Sequence, residues 1–312
     1  MTKTRLTFHN RAEWLAARTQ GIGASEVSSI LGLNPFETPY MLWRRKMGLE
    51  TPKQETIAMR DGHFLEGAVA DYFGSVTNSQ ILKNSAEDFI IMNNERKYLR
   101  VSPDRLYWSV DSKHSEADKC VLECKSTNKN IDEANLPKHW FVQLQMNLGV
   151  GEYKRGALAW FCKLNGTFNH VNVDFAPDFY GWLVEEVEKF WVDNILGKKE
   201  PDSMSVEDVI VRYQKCTNGK AIEATPEILA AMTKLKEVRA DIAKLEADGK
   251  ACEDAIKIFL SDADTLTNQG VTLATWRNST SSRLDTKAFK ADYPDLYAKY
   301  AKETDSRRFL IK

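Results

Sequence analysis

Two acids and a lysine fall within one stretch of the 312-residue chain: Asp104, which follows Pro103, and Glu123 and Lys125, which flank Cys124. Grouped carboxylates bind hard divalent cations that keep several waters. Hydrolysis of a phosphodiester needs a nucleophilic water at neutral pH and stabilisation of charge on the phosphate and leaving oxygen, and one or two Mg²⁺ ions supply both. Asp104 and Glu123 are the expected ligands, with the backbone carbonyl of Cys124 beside them. Side chains alternate along a strand, so Glu123 and Lys125 share a face and Cys124 takes the other. Lys125 can then orient or help deprotonate the attacking water. The Glu-x-Lys spacing alone carries little, since Glu95-Arg96-Lys97 and Glu152-Tyr153-Lys154 have it too. What selects residues 123–125 is the apolar run Val121-Leu122 before them and Pro103-Asp104 one hairpin upstream. Charge at the end of a buried strand is costly unless it is paired or metal-bound. The competing reading is a surface hairpin with an incidental cross-strand ion pair.

Other residues earn attention by position. Arg18 lies just before Gly21-Ile22-Gly23, and Ser25 lies near the start of a helix expected over 24–31. An arginine, a glycine turn and a serine at a helix start make a seat for phosphate; equally, Ser25 simply caps the helix. Thr38-Pro39 reads as N-cap and first position of a helix closed by Gly48, with Arg44-Arg45-Lys46 as a basic face, solvated or tracking a backbone. Glu66 falls beside the buried stripe Leu65, Val69 and Phe73 of a helix over 61–73, and Gln143 on a different face from Trp140, Leu144 and Leu148 of a helix over 137–150.

Hydrophobic content of 43% and charged content of 28% are those of a soluble globular protein. The net charge of −1 excludes a polycation that coats nucleic acid, so any DNA contact is local. No run approaches the roughly 18–20 apolar residues that span a membrane, and the first residues lack a signal-peptide core. The expectation is a cytoplasmic protein. Five cysteines with no CxxC pair argue against a disulfide scaffold or structural zinc.

Short apolar runs between Gln80 and Thr127 predict a meander of antiparallel strands. Strands over 157–162 and 170–175 and a long helix over 177–196 follow. Residues 1–202 thus read as an α/β domain. Residues 203–312 read as an accessory region. Its long helix begins at Thr225-Pro226, and Ile228, Met232, Leu235, Val238, Ile242 and Leu245 recur at heptad-like spacing, long enough for a helical hairpin or short coiled coil. A turn at 268–270, a strand over 271–276, a short helix capped by Asp285 and a strand at 307–311 complete it.

Five segments in order, Arg18 to Val27, Glu66, Ser102-Pro103-Asp104, Leu122-Glu123-Cys124-Lys125 and Gln143-Leu144-Gln145, make residues 10–195 resemble the YqaJ-type viral recombinase nucleases. These are relatives of phage lambda exonuclease in the PD-(D/E)xK superfamily. The resemblance implies a restriction-endonuclease-like core, a central mixed sheet flanked by helices, here with a mainly helical C-terminal region. It implies that Asp104 and Glu123 bind Mg²⁺, for which Mn²⁺ substitutes, that Lys125 acts on the nucleophilic water, and that Glu66 reaches the metal directly or through water. It further implies that Gln143 orders the site and that Arg18 and Ser25 hold a 5′ phosphate. The implied activity is 5′→3′ digestion of one strand of linear duplex DNA, leaving a 3′ overhang for a single-strand annealing partner. A homo-oligomer, such as a trimeric ring, and a bacterial host cell carrying phage or prophage are also implied. The alternatives are an endonuclease or flap nuclease, and a non-catalytic scaffold that binds DNA ends.

Overall fold

In the computed structural model the described residues are 2–50, 56–82, 89–302 and 307–311. The chain divides into two units, Met1–Gln214 and Lys215–Lys312.

The first unit is built on a five-stranded mixed sheet and a smaller three-stranded one. Strand β1 (Lys3–Thr7) is followed by helices α1 (Arg11–Thr19), α2 (Ala24–Ile30), α3 (Pro39–Lys46) and α4 (Ile57–Thr77). Next come β2 (Gln80–Ile81), β3 (Phe89–Asn93), β4 (Arg100–Val101), β5 (Arg105–Trp108) and β6 (Lys119–Thr127). Helix α5 (Lys138–Gly151), strands β7 (Arg155–Cys162) and β8 (Thr167–Asp174), helix α6 (Pro177–Lys189) running into a π-helical turn over Phe190–Leu196, and α7 (Val206–Arg212) finish the unit. The large sheet has the order β2-β5-β6-β7-β8 and the small one β1-β3-β4.

The strands between 80 and 127 therefore do not form the single meander that their spacing suggests. Pro103 has no N–H to give a ladder, and the chain changes sheets there. Residues before it pair with β3, Ile91 facing Val101, and residues after it pair with β6, Arg105 facing Leu122. The β6–β7 pair is parallel, Glu123 facing Leu158. A parallel return needs a crossover, and α5 supplies it.

The two faces of the large sheet are covered differently. Val121, Leu106, Leu158 and Trp160 join α5 in the main core, whereas Leu122, Cys124, Tyr107 and Ala159 pack under Val69, Ala70 and Phe73 of α4. Helix α5 is buried nearly all round, between the sheet, α2 and α6, and so has little of the apolar-polar contrast of a surface helix.

The division between units falls twelve residues beyond the 202/203 boundary expected from composition, because α7 belongs to the first unit. Asp208 of α7 is fully buried and accepts the hydroxyl of Thr38 at 2.7 Å, while Arg212 stacks 4.2 Å from the Tyr40 ring.

In the second unit a 35-residue helix, α8 (Pro226–Leu260), starts at an N-cap whose Thr225 hydroxyl accepts from Ile228 N. A hairpin of β9 (Thr265–Asn268) and β10 (Val271–Thr275) follows, then α9 (Thr286–Asp292), capped by Asp285, and α10 (Pro294–Tyr300). Residues 307–311, expected as a strand, are not one, having no partner ladder among the described residues.

Candidate active site

Asp104 occupies the bend where the chain passes from one sheet to the other, immediately before β5. The β5–β6 register sets Arg105 opposite Leu122, so one step back Asp104 lies opposite Glu123, on the face that Lys125 shares. Its Oδ2 accepts the Cys124 N–H at 2.8 Å, which ties the bend to β6.

Glu123 is fully buried and surrounded by donors. Lys125 Nζ lies 3.0 Å from its Oε2 and Gln143 Nε2 donates to the same oxygen at 2.6 Å, while Asn147 Nδ2 donates to Oε1. Lys125 Nζ also donates to Gln143 Oε1 at 3.1 Å, which closes a ring of three side chains. Burial, reinforced by the neighbouring Asp104 charge, pushes the Glu123 carboxyl up to about 8 even against Lys125. Burial pulls the Lys125 ammonium the other way, but Glu123 and Asp104 outweigh it and hold the lysine charged.

Glu66 reaches the same region from the far side. Its helix, α4, covers the Cys124 face of the sheet, and there its carboxylate pairs with Arg105, whose guanidinium also donates to the Asp104 carbonyl. Burial and the Asp104 charge raise the Glu66 carboxyl. Three acids thus share one field without converging. No cluster of three or more His, Cys, Asp or Glu side chains arranged to hold a metal occurs among the described residues. What the site offers a cation is Asp104, with Glu123 beside it but engaged by Lys125, Gln143 and Asn147. Burial and the Asp104 charge disfavour ionisation of Glu123, and a hard divalent ion held by the two carboxylates would relieve it.

Arg18, Ser25, Glu66, Asp104, Lys125 and Gln143 all line one cavity of about 500 Å³, together with the main-chain neighbourhood of Cys124. Glu123 sits in the floor behind them, reached through Lys125 and Gln143. The Arg18 guanidinium stacks on Trp14, 4.5 Å from the ring, and among the described residues it has no hydrogen bond or ion pair. Burial and then Arg45 lower its proton affinity, opposed by Glu26 and Asp104.

Two expectations about this side of the cavity change. Ser25 does not cap α2: Gly23 is the N-cap, and Glu26 accepts the Gly23 N–H at 2.8 Å. The glycine segment is no loose turn either, because Ile22 forms a parallel bridge to Leu99, with Ile22 N donating to Tyr98 O at 2.6 Å. A Cβ on Gly21 would fall 2.4 Å from that carbonyl oxygen. The basic run of α3 is likewise structural. Lys46 pairs with Glu26 at 2.7 Å with a side chain 3% exposed, Arg45 with Glu26 and Glu37 at 2.9 Å, and Arg44 with Glu50 at 3.5 Å.

Sequence reasoning did not single out Asn147 or Arg105. Asn147 stands four residues after Gln143 on α5, and that spacing puts both amides on one face. The neighbouring Gln145 serves structure, its Nε2 donating to Asp174 O and its Oε1 accepting Ala176 N, each at 2.9 Å.

The model of the YqaJ-like viral recombinase domain matches residues 13–154. The uncharacterized protein YqaJ of Bacillus subtilis (strain 168) is 31% identical over 316 aligned residues, covering 97% of this chain and 94% of that protein. Among solved structures, the alkaline exonuclease LHK-Exo of Laribacter hongkongensis aligns at a TM-score of 0.46 and 15% identity, covering 65% of this chain and 97% of that one. Its complex with dAMP aligns at a TM-score of 0.49 and 15% identity, over 65% and 98%. A phage-related exonuclease from Haemophilus somnus 129PT gives a TM-score of 0.39 at 9% identity, over 57% and 96%. Near-complete coverage by the Bacillus relative, with the domain model lying over the residues that build the cavity, makes this chain a member of the YqaJ-like viral recombinase family.

Proposed function

We propose that the chain is a divalent-cation-dependent deoxyribonuclease that degrades one strand of linear duplex DNA from its 5′ end. The observation that carries this reading is the cavity lined by Asp104 and Lys125, with Glu123 behind them, and by Arg18, which has no ion-pair partner among the described residues. Asp104 and Glu123 would hold Mg²⁺, with the Cys124 carbonyl beside them and Glu66 acting through water from its place on Arg105. When bound, the ion supplies a water of lowered pKa and a counter-charge for the phosphate. Lys125, kept charged by its acidic neighbours, donates to the attacking water or to a phosphate oxygen. Gln143 keeps Lys125 and Glu123 at hydrogen-bonding distance. Arg18, with Ser25 beside it, takes the terminal 5′ phosphate, a charge-assisted contact that an internal phosphodiester supplies less well. A PD-(D/E)xK core, a single-strand annealing partner and a role in phage-type recombination complete the proposal, supported by the family membership.

Digestion of 5′- and 3′-labelled linear duplex with and without Mg²⁺, beside covalently closed circles, tests it. Labelled 5′ nucleotides should be released only with the ion, and circles should stay intact; cut circles would favour an endonuclease. Asp104→Ala and Lys125→Ala should abolish release while duplex binding in gel shift persists. If either variant digests at the normal rate, the assigned centre is wrong. Arg18→Ala should slow a 5′-phosphorylated end at least about tenfold more than a 5′-hydroxyl end, the size of one lost charge-assisted bond. Equal slowing of both removes the phosphate seat.

A further inference from the structure

The apolar seam of α8 has no cover among the described residues of the second unit. Ile228 is 53% exposed, Ile242 49%, Leu245 70% and Phe259 78%, and α8 packs extensively on neither the hairpin nor α9 and α10. Most helical stability in proteins comes from packing of an apolar stripe, and along the 35 residues of α8 that stripe faces solvent.

The order of residues indicates what fits along it. Beyond Leu245 the seam continues through Gly249, Cys252, Ile256 and Phe259. Going forward from Leu245 the steps are 4, 3, 4 and 3, and going backward from Ile242 they are 4, 3, 3 and 4. The pattern is thus close to a mirror image of itself about residues 243–244. A second α8 laid antiparallel about that point sets Ile242 against Leu245, Val238 against Gly249, Leu235 against Cys252 and Ile228 against Phe259. Such an arrangement is isologous: each contact occurs twice, once in each direction. The shared seam from Ile228 to Phe259 would be about 47 Å long at 1.5 Å per residue.

The flanking charges choose the direction. One flank carries Lys236 and Arg239 in the first half of the helix and Glu246 and Glu253, interspersed with Lys250 and Lys257, in the second. Antiparallel pairing brings Arg239 to Glu246 and Lys236 to Glu253, with Asp241 against Asp248 and Arg239 against Lys250 as the opposing terms. Parallel pairing would set Asp241 against Glu246 and Asp248 against Glu253, like charges throughout. Arg239 and Glu246 have no ion-pair partner among the described residues, whereas Glu253 pairs within the helix with Lys257 at 2.9 Å.

We infer that two copies of this chain associate through antiparallel pairing of their α8 helices. The inference is independent of the reaction proposed for the first unit. Sedimentation of the full-length protein should show Leu245→Glu halving the native mass while DNA digestion per chain is unchanged. Arg239→Glu and Glu246→Arg should each weaken association about tenfold, and the two together should restore it, because antiparallel symmetry regenerates the opposite-charge pair. Mild oxidation of a Leu235→Cys protein should produce a dimer through the partner's Cys252, and the unmodified protein should give none through paired Cys252. Native mass unaffected by Leu245→Glu, a charge-swapped double variant no tighter than either single one, or ready cross-linking of the unmodified protein through Cys252 would each overturn the assignment.

Discussion

Glu123 has no solvent exposure, yet its carboxylate takes hydrogen bonds from a lysine, a glutamine and an asparagine. Those donors fix where each oxygen points before any ligand arrives. Gln143 matters most for alignment, since it joins Lys125 to Glu123. Gln143→Ala should lower digestion about 10–100-fold, the range for partners that orient metal ligands. A melting temperature within a few degrees of the parent, read by circular dichroism alongside the rate, would separate alignment from unfolding. Asn147 contributes more to stability. Removing its donor leaves a buried carboxylate short of a bond, so Asn147→Ala should cost about 2 kcal/mol in urea unfolding. At this scale the sequence was readable where chemistry is concentrated. Asp104, Lys125, Gln143, Arg18, Ser25 and Glu66 line one cavity, Glu66 bound to Arg105, and Glu123 lies behind Lys125 and Gln143. Asn147 escaped notice because a polar residue inside an apolar helix gives no sign of which strand it will meet.

Between elements, α2 and α3 are joined by buried charge rather than by the solvated basic face expected of Arg44-Arg45-Lys46. Burial would raise the Glu26 carboxyl, but Lys46, Arg45 and Arg18 together hold it below the usual range. A carboxyl whose folded pKa lies under its unfolded value of about 4.3 stabilises the fold above that value and loses the contribution as pH falls through the folded one. Glu26→Gln leaves Lys46 buried without its counter-ion and should cost about 3 kcal/mol at neutral pH. The gap between the two proteins should narrow as unfolding is measured at successively lower pH below about 4. A gap independent of pH would show that charge is not the cause. Gly21 is the other joint. Adding a methyl there drives into the Tyr98 carbonyl, so Gly21→Ala should destabilise by about 1–3 kcal/mol and displace Arg18 from the cavity. Helices were legible because their caps and periodicity are local. Strand partnership was not: β1 carries no strong apolar alternation, and only its pairing with β3 shows that the run from 80 to 127 serves two sheets.

For the molecule as a whole, composition shifts near Pro201 but the first unit ends at Gln214. The intervening α7 places Asp208 beneath Thr38, and Arg212 on Tyr40. A chain ending at 214 should therefore melt cooperatively at nearly the temperature of the corresponding transition in the full protein. One ending at 202 should melt several degrees lower, since a buried hydrogen-bonded carboxylate and a cation–aromatic contact are both removed. Equal melting of the two would mean that α7 adds nothing to the first unit.

The strand that holds Glu123 and Lys125 lies third of five, laddered to β5 on one side and to β7 on the other. Its amides are then among the slowest in the chain to exchange with deuterium, released only when the sheet as a whole opens, whereas the Gln80–Ile81 edge exchanges through local fraying. Partial opening at the periphery leaves Asp104 tied to the Cys124 amide. Activity and global structure should therefore vanish at the same denaturant concentration, with no inactive but folded intermediate between them.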